Sequence, residues 1–139
     1  MAQLIEFAGN HLILVGAFFF VLTMLITNLV QAGVSQGLTP AQAVRLINTE
    51  SAQPLDVRSS AEFGKGHIIN AINVPVAELK DRDKELKKIG NTPILVYCAT
   101  GTSAATAVRS LKTAGYTNLY TLKGGVSAWQ TENLPLTKD

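Results

Sequence analysis

Cys98 is the only cysteine in the chain and the side chain best suited to nucleophilic chemistry. The five residues that follow it are all small: Ala99, Thr100, Gly101, Thr102 and Ser103. A loop of small residues can turn its backbone N–H groups towards the sulfur, and a helix that starts there adds the positive end of its dipole. Such surroundings favour the thiolate, the nucleophilic form of cysteine. The spacing predicts a reactive, accessible thiol, with an inert core cysteine as the alternative.

The elements around Cys98 are predicted to be a strand, a tight loop and a helix. Residues 94–97 (ILVY) form an apolar run rich in strand formers. The apolar residues from position 104 onwards recur at helical spacing, at 104, 107, 108, 111 and 114, and Gly115 is typical of a helix end. In an open parallel sheet, ligands bind beyond the carboxyl ends of the strands, which is where Cys98 is expected.

The remainder of the chain after residue 38 alternates strands with helices. Thr39, Pro40 and Gln42 have the spacing of a helix start with a capping box, and this helix is expected to end at Asn48. Short strands are predicted at 54–58, 71–75 and 119–122 in addition to the strand before Cys98. This order predicts an α/β fold with a parallel sheet of four to five strands flanked by helices.

Asp56 and Arg58 sit where the strand predicted at 54–58 ends, at the same edge of the sheet as Cys98. We expect the two side chains to pair and to brace the pocket rather than to react. His67 directly follows Gly66 in a glycine-bounded turn and is expected to be a hydrogen-bonded scaffold residue. One cysteine and two distant histidines do not have the spacing of a metal site, so no metal is expected.

Residues 12–30 are nineteen residues without a charge, long enough to cross a bilayer almost completely. A buried core helix and a cleaved signal peptide are the alternatives, but the first eleven residues contain no Lys or Arg and the apolar run exceeds the usual signal length. The chain is therefore divided into a short tail (1–11), a transmembrane helix (12–30), a linker (31–37) and a soluble domain (38–139).

The charge distribution predicts how this anchor is oriented. All twelve Lys and Arg residues lie from Arg45 onwards, and with nine acidic residues they give the part after Leu38 a net charge of +3. The positive-inside rule then places the N-terminus outside and the soluble domain in the cytoplasm, which agrees with a reduced lone thiol. This mild charge, without a basic stripe interleaved with aromatics, is not typical of nucleic-acid binding.

Three groups of residues together resemble the rhodanese family. The first is Asp56-Val57-Arg58 with Glu62-Phe63 and Gly66-His67-Ile68, the second is the loop 98–103, and the third is Gly124-Gly125 through Trp129 with Leu134-Pro135. The resemblance covers about residues 37–137, and a single such domain behind one anchor is similar to bacterial membrane-anchored rhodanese-like proteins of the inner membrane.

The resemblance implies a sulfurtransferase without a cofactor. Cys98 would carry sulfane sulfur as a persulfide from a donor, either thiosulfate or a persulfide, to a thiol acceptor that is a small molecule or a protein. The N–H groups of Ala99 to Ser103 would bind the outer sulfur, and Ser103 would cap the following helix. The only other partner expected is membrane lipid around residues 12–30.

Ser103 stands where many active rhodaneses have an arginine, and no Lys or Arg occurs between Cys98 and Arg109. The loop therefore depends on backbone dipoles to stabilise negative charge. The lack of an arginine also disfavours a phosphatase, because phosphatases of this kind normally bind the phosphate dianion with an arginine side chain. Two alternatives remain: a catalytically silent rhodanese fold that recruits a partner to the membrane, and a redox sensor that acts through sulfenylation of Cys98.

Overall fold

The computed structural model describes residues 1–32 and 36–138, and it divides into two compact units, Met1–Val34 and Ser35–Asp139. Positions 33–35 of the predicted linker lie outside the described residues. Gln36 and Gly37, which were assigned to the same linker, are instead part of a strand, Gln36–Leu38.

The N-terminal unit consists of two helices, α1 (Ala2–Asn10) and α2 (Leu12–Ala32). The tail predicted at residues 1–11 is thus helical. Within α2, the stretch Leu12–Leu29 is long and apolar enough to cross a membrane, and none of it is buried inside the unit. A signal sequence near the N-terminus passes the same test of length and hydropathy as a membrane anchor.

The second unit is a parallel α/β fold, with its strands joined by helices or helical turns. The strands are β1 (Gln36–Leu38), β2 (Gln53–Asp56), β3 (Ile72–Asn73), β4 (Ile94–Tyr97) and β5 (Leu119–Leu122). The helices are α3 (Pro40–Glu50), α4 (Ser60–Lys65), a 3-10 turn (Val76–Glu78), α5 (Asp83–Lys87), α6 (Thr102–Thr113) and α7 (Gly125–Thr131). The strand order is β1-β5-β4-β2-β3 with every pair parallel, which confirms the predicted fold class.

Strand β4 lies at the centre of the sheet and is buried on both faces, as expected for a parallel strand covered by helices. Its residues alternate between two cores. Val96 packs in the core that contains the buried face of α6, whereas Leu95 and Tyr97 pack in the core that contains Trp129 of α7. Cys98 continues the α6 side of this alternation, which brings its sulfur to the start of that helix.

For α3, the predicted start is confirmed and the predicted end is less accurate. Thr39 accepts from the Gln42 N–H while the Gln42 side chain accepts from the Thr39 N–H, so the capping box of α3 is complete. The same helix continues to Glu50, beyond the predicted end at Asn48, and terminates at Ser51 in the left-handed region. The strand predicted at 71–75 is reduced to Ile72–Asn73, which pairs with β2 at the edge of the described sheet.

Candidate active site

The sulfur of Cys98 lies where backbone N–H groups converge. Gly101 donates its N–H to Sγ over 2.9 Å, and Ala104 donates over 3.4 Å from the first turn of α6. Both donors are main-chain groups, and the second carries the partial positive charge of a helix N-terminus. Two main-chain N–H groups are thus directed at one sulfur atom, and among the residues that the structure describes no cationic side chain donates to it.

The contacts of the loop differ in detail from the prediction. Of the five residues 99–103, Gly101 alone donates to Sγ within the described part of the chain. The second donor is Ala104, which was not among the predicted loop donors. The expectation that Ser103 caps α6 is wrong, since the N-cap is Gly101, at φ +109°, and it has no side chain to offer. Cys98 Sγ instead accepts the Ala104 N–H, the position that an N-cap oxygen normally satisfies.

Cys98 is more enclosed than the sequence suggested, with 3% of its surface exposed. The reason is that its side chain points towards the α6 core, where Ala104 and Ala107 are fully buried. The exposed rim of the site is formed by the loop and the first turn of α6, with Thr100, Thr102 and Ser103 at the surface. A reactant must therefore approach the sulfur past small, uncharged side chains.

The start of α7 holds the backbone of the Cys98 loop in place. Val126 donates its N–H to the carbonyl oxygen of Cys98 over 2.9 Å, and Ser127 donates to that of Ala99 over 3.1 Å. Gly125 makes this close approach possible, because a Cβ there would lie 2.3 Å from the Cys98 oxygen. Gly124-Gly125 was identified in the sequence as part of the resemblance to the rhodanese family, and its contact with the Cys98 loop was not predicted. Two adjacent glycines shortly after a strand are a signal for such a close approach of backbones.

Asp56 and Arg58 form the predicted pair. Arg58 Nη2 lies 2.6 Å from Asp56 Oδ2 and also donates to the Gly66 carbonyl over 2.7 Å. Burial opposes the guanidinium charge, but the hydrogen bond and the negative charge of Asp56 outweigh it and raise the pKa of Arg58. The guanidinium lies 5.9 Å from the ring centre of Tyr97, the residue before Cys98. The pair thus braces the edge of the sheet beside the site.

Tyr97 is itself part of this bracing. Its hydroxyl accepts the Ile68 N–H over 3.1 Å, and its carbonyl accepts the Val57 N–H over 3.0 Å, which links the exits of β4 and β2. Burial, followed by the nearby charge of Asp56, raises the pKa of Tyr97 well above its usual range. The phenol therefore stays neutral and acts as a structural acceptor.

His67 is held as a scaffold residue, as its sequence context indicated. Its Nδ1 lies 2.9 Å from the Phe63 carbonyl oxygen, and its ring stacks on the Phe63 ring with centroids 3.7 Å apart. The residue is buried, and its backbone pairs with that of Thr137. Over residues 1–32 and 36–138, His, Cys, Asp and Glu side chains form no group of three that could hold a metal ion.

Comparison with known proteins agrees with this architecture. A family profile described as Rhodanese-like domain matches residues 39–132, which include Cys98, Asp56 and Arg58. The chain is 33% identical to the uncharacterized protein YibN of Escherichia coli over 141 aligned positions, 99% of each chain. It is 32% identical to a sulfurtransferase of Allochromatium vinosum over 92 residues, 66% of this chain and 84% of that one. The crystal structure of a rhodanese-related protein from Thermoplasma volcanium superimposes with a TM-score of 0.67 at 31% identity, covering 75% of this chain and 99% of that one.

Proposed function

The chain belongs to the rhodanese family, and from this premise we propose that it is a sulfurtransferase that carries sulfane sulfur on Cys98. The observation that carries the proposal is the pair of N–H groups, from Gly101 and Ala104, directed at Sγ. A sulfur that accepts two backbone hydrogen bonds is stabilised as an anion, and the anion is the form that attacks. The sulfurtransferase name of the Allochromatium relative supports the same activity.

The reaction proceeds in two half-reactions. In the first, the Cys98 thiolate attacks the sulfane sulfur of the donor, forming a new S–S bond as the S–S bond of the donor breaks. The bonding electrons leave on the donor remnant, which is sulfite from thiosulfate or a thiolate from a persulfide. In the second, an acceptor thiolate attacks the outer sulfur, and the electrons of the Cys98 S–S bond return to Sγ.

The loop offers further donors to the persulfide. The outer sulfur lies about 2 Å from Sγ, the length of an S–S bond. The N–H groups of Thr102 and Ser103 belong to the first turn of α6, where a helix supplies no acceptor of its own. We assign these groups, with those of Ala99 and Thr100, to the outer sulfur, while Gly101 and Ala104 remain on Sγ.

Sulfur loading tests the activity directly. The full chain in detergent is incubated with thiosulfate and, separately, with a small-molecule persulfide, and its intact mass is measured. We expect a gain of one sulfur that a thiol acceptor then removes. The Cys98→Ser variant is the control, because it keeps the loop sequence and lacks the nucleophile. An equal gain by both proteins would contradict the proposal.

A second candidate is a catalytically silent module that recruits a partner to the membrane. Two observations favour it: Cys98 is 3% exposed, and residues 99–108 contain no cation to attract an anionic donor. Cells that carry Cys98→Ala distinguish the candidates. If they behave like the wild type while deletion of residues 12–30 causes a defect, recruitment is the function and the thiol is dispensable.

We propose that α2 is a retained single-pass anchor in the bacterial inner membrane, with the rhodanese domain in the cytoplasm. The absence of Lys and Arg from the first eleven residues supports this orientation. The alignment with the Escherichia coli protein covers 99% of both chains and thus includes this helix. An intact N-terminus in protein extracted from membranes would support retention, and a chain that begins near residue 32 would identify a signal sequence instead.

A further inference from the structure

Helix α1 is amphipathic, in contrast to α2. Its large apolar residues, Leu4, Ile5 and Phe7, cover one side together with Ala8, within an arc of about 160° at 100° per residue. The opposite side carries the polar residues Gln3, Glu6 and Asn10. A helix that continued a membrane span would have no reason to keep a polar side.

The apolar side of α1 has no cover within the described part of the N-terminal unit. Leu4 is 71% exposed, Ile5 is 75% exposed and Phe7 is 57% exposed. Three large apolar side chains exposed on one side of a nine-residue helix form a surface that water solvates poorly.

His11 separates the two helices at a defined place. Its backbone leaves the helical region at φ −128° and ψ 44°, and its ring lies 4.7 Å from the Phe7 ring. The next helix starts at once, with Val15 donating to the His11 carbonyl. Because the helix is interrupted at His11, α2 is 21 residues and about 31 Å long. This length alone matches a hydrocarbon core of roughly 30 Å, so α1 is not needed to complete the span.

We infer that α1 lies in the plane of the membrane interface, with Leu4, Ile5, Phe7 and Ala8 immersed at the boundary of headgroups and acyl chains. The inference rests on the proposed span by α2, and lipid is its occupant because α1 ends one residue before that span begins. An amphipathic interfacial helix is immersed by about 5–10 Å, which suits side chains of this size. The absence of Lys and Arg is no obstacle, since α2 already holds α1 at the surface and weak affinity suffices.

Spin-label accessibility tests the inference on the full chain. Cys98 is replaced with serine to remove the only native thiol, and single cysteines are introduced at Ile5, Ala8, Glu6 and Asn10 for labelling. Leu22 near the middle of α2 provides the control position. The labelled proteins are reconstituted in vesicles of phosphatidylethanolamine and phosphatidylglycerol, and collisions with oxygen and with a water-soluble nickel chelate are compared.

We expect the ratio of oxygen to chelate accessibility to be high at positions 5 and 8 and low at 6 and 10. The labels at positions 5 and 8 should both lie about 5–10 Å below the phosphates, because both positions belong to the immersed side when the helix lies flat. The inference would be overturned by a depth that changes steadily along α1, or by chelate access at all four positions. In either case a deep label at position 22 would show that the α2 span itself remains. Low access to both probes at 5 and 8 would indicate a protein partner and also overturn it. A shallow label at position 22 would contradict the span by α2 and with it the inference.

Thermal unfolding of the Cys98→Ser background, compared with the natural chain, shows whether that background is folded.

Discussion

Replacement of Gly125 with alanine tests whether α7 positions the reactive loop. The added Cβ would lie 2.3 Å from the carbonyl oxygen of Cys98 and 2.7 Å from both the carbonyl carbon and the oxygen of Ala99. Close carbon–oxygen contacts in proteins are about 3.3–3.6 Å, so the two backbones must separate by about 1 Å. The atoms in the way are main-chain atoms, which cannot move aside as a flexible side chain can.

The displacement should affect chemistry more than folding. A misplacement of about 1 Å can reduce a reaction rate by about 100-fold when the reacting groups depend on geometry. We therefore expect Gly125→Ala to slow sulfur transfer by about two orders of magnitude, because the N–H groups of Gly101 and Ala104 move with the loop that α7 holds. The alanine also adopts φ +58°, which costs about 1–2 kcal/mol of stability for a residue with a Cβ.

Gly90→Ala is the matched control. Gly90 has φ +68°, close to that of Gly125, but a Cβ there would meet nothing within 4 Å. The two variants share the backbone penalty and differ in the contact with the loop. Single-turnover transfer from preloaded protein to a thiol acceptor is measured at a temperature where both variants are folded. If Gly125→Ala transfers sulfur as fast as Gly90→Ala, the contact with α7 does not position the loop.

Three further predictions concern the stability of the rhodanese domain. Arg58→Met leaves the Asp56 charge buried without its ion-pair partner, so urea denaturation should show that the free energy of unfolding falls by about 3–5 kcal/mol. The double variant Asp56→Leu/Arg58→Met should regain most of this loss, because it removes the buried charge as well. An equal loss in the double variant would contradict the pairing argument. Burial, followed by the Asp83 carboxylate, raises the pKa of Tyr116 to about 12 in the folded protein. As the pH rises, the unfolded chain therefore loses the phenol proton before the folded protein does, and the free energy of unfolding should fall between pH 10 and 12. Tyr116→Phe should flatten that fall in a series of denaturation curves, and an unchanged slope would refute the assignment. Thr39→Ala removes the acceptor of the α3 capping box and should cost about 1 kcal/mol by the same assay, whereas Thr39→Ser should cost much less.

The sequence predicted those parts of the fold that have a local cause. The apolar run of β4 is buried on both faces, and the capping residues of α3 act through neighbours three positions away. Strand β1 has no such cause. Its three residues, Gln36–Leu38, contain one large apolar side chain, and they form a strand because the edge of β5, far along the chain, offers hydrogen bonds to them.

In the candidate site too, features with a local cause could be predicted, whereas features that depend on tertiary packing could not. Cys98 and its small-residue loop could be identified from residue types alone, and so could the pairing of Asp56 with Arg58. The second donor to the sulfur could not, because the Ala104 N–H is a backbone group that any residue would supply. The burial of Cys98 depends on how closely α6 packs on the sheet, which the order of residues does not reveal.

A sulfur cradle built from main-chain N–H groups also bears on how this protein can diverge. Thr100, Thr102 and Ser103 are exposed, and any residue other than proline at these positions presents a backbone N–H in the same direction. If the protein is the sulfurtransferase proposed above, substitutions at the rim can change which donors and acceptors the loop admits, while the N–H groups that face the sulfur are retained with the backbone.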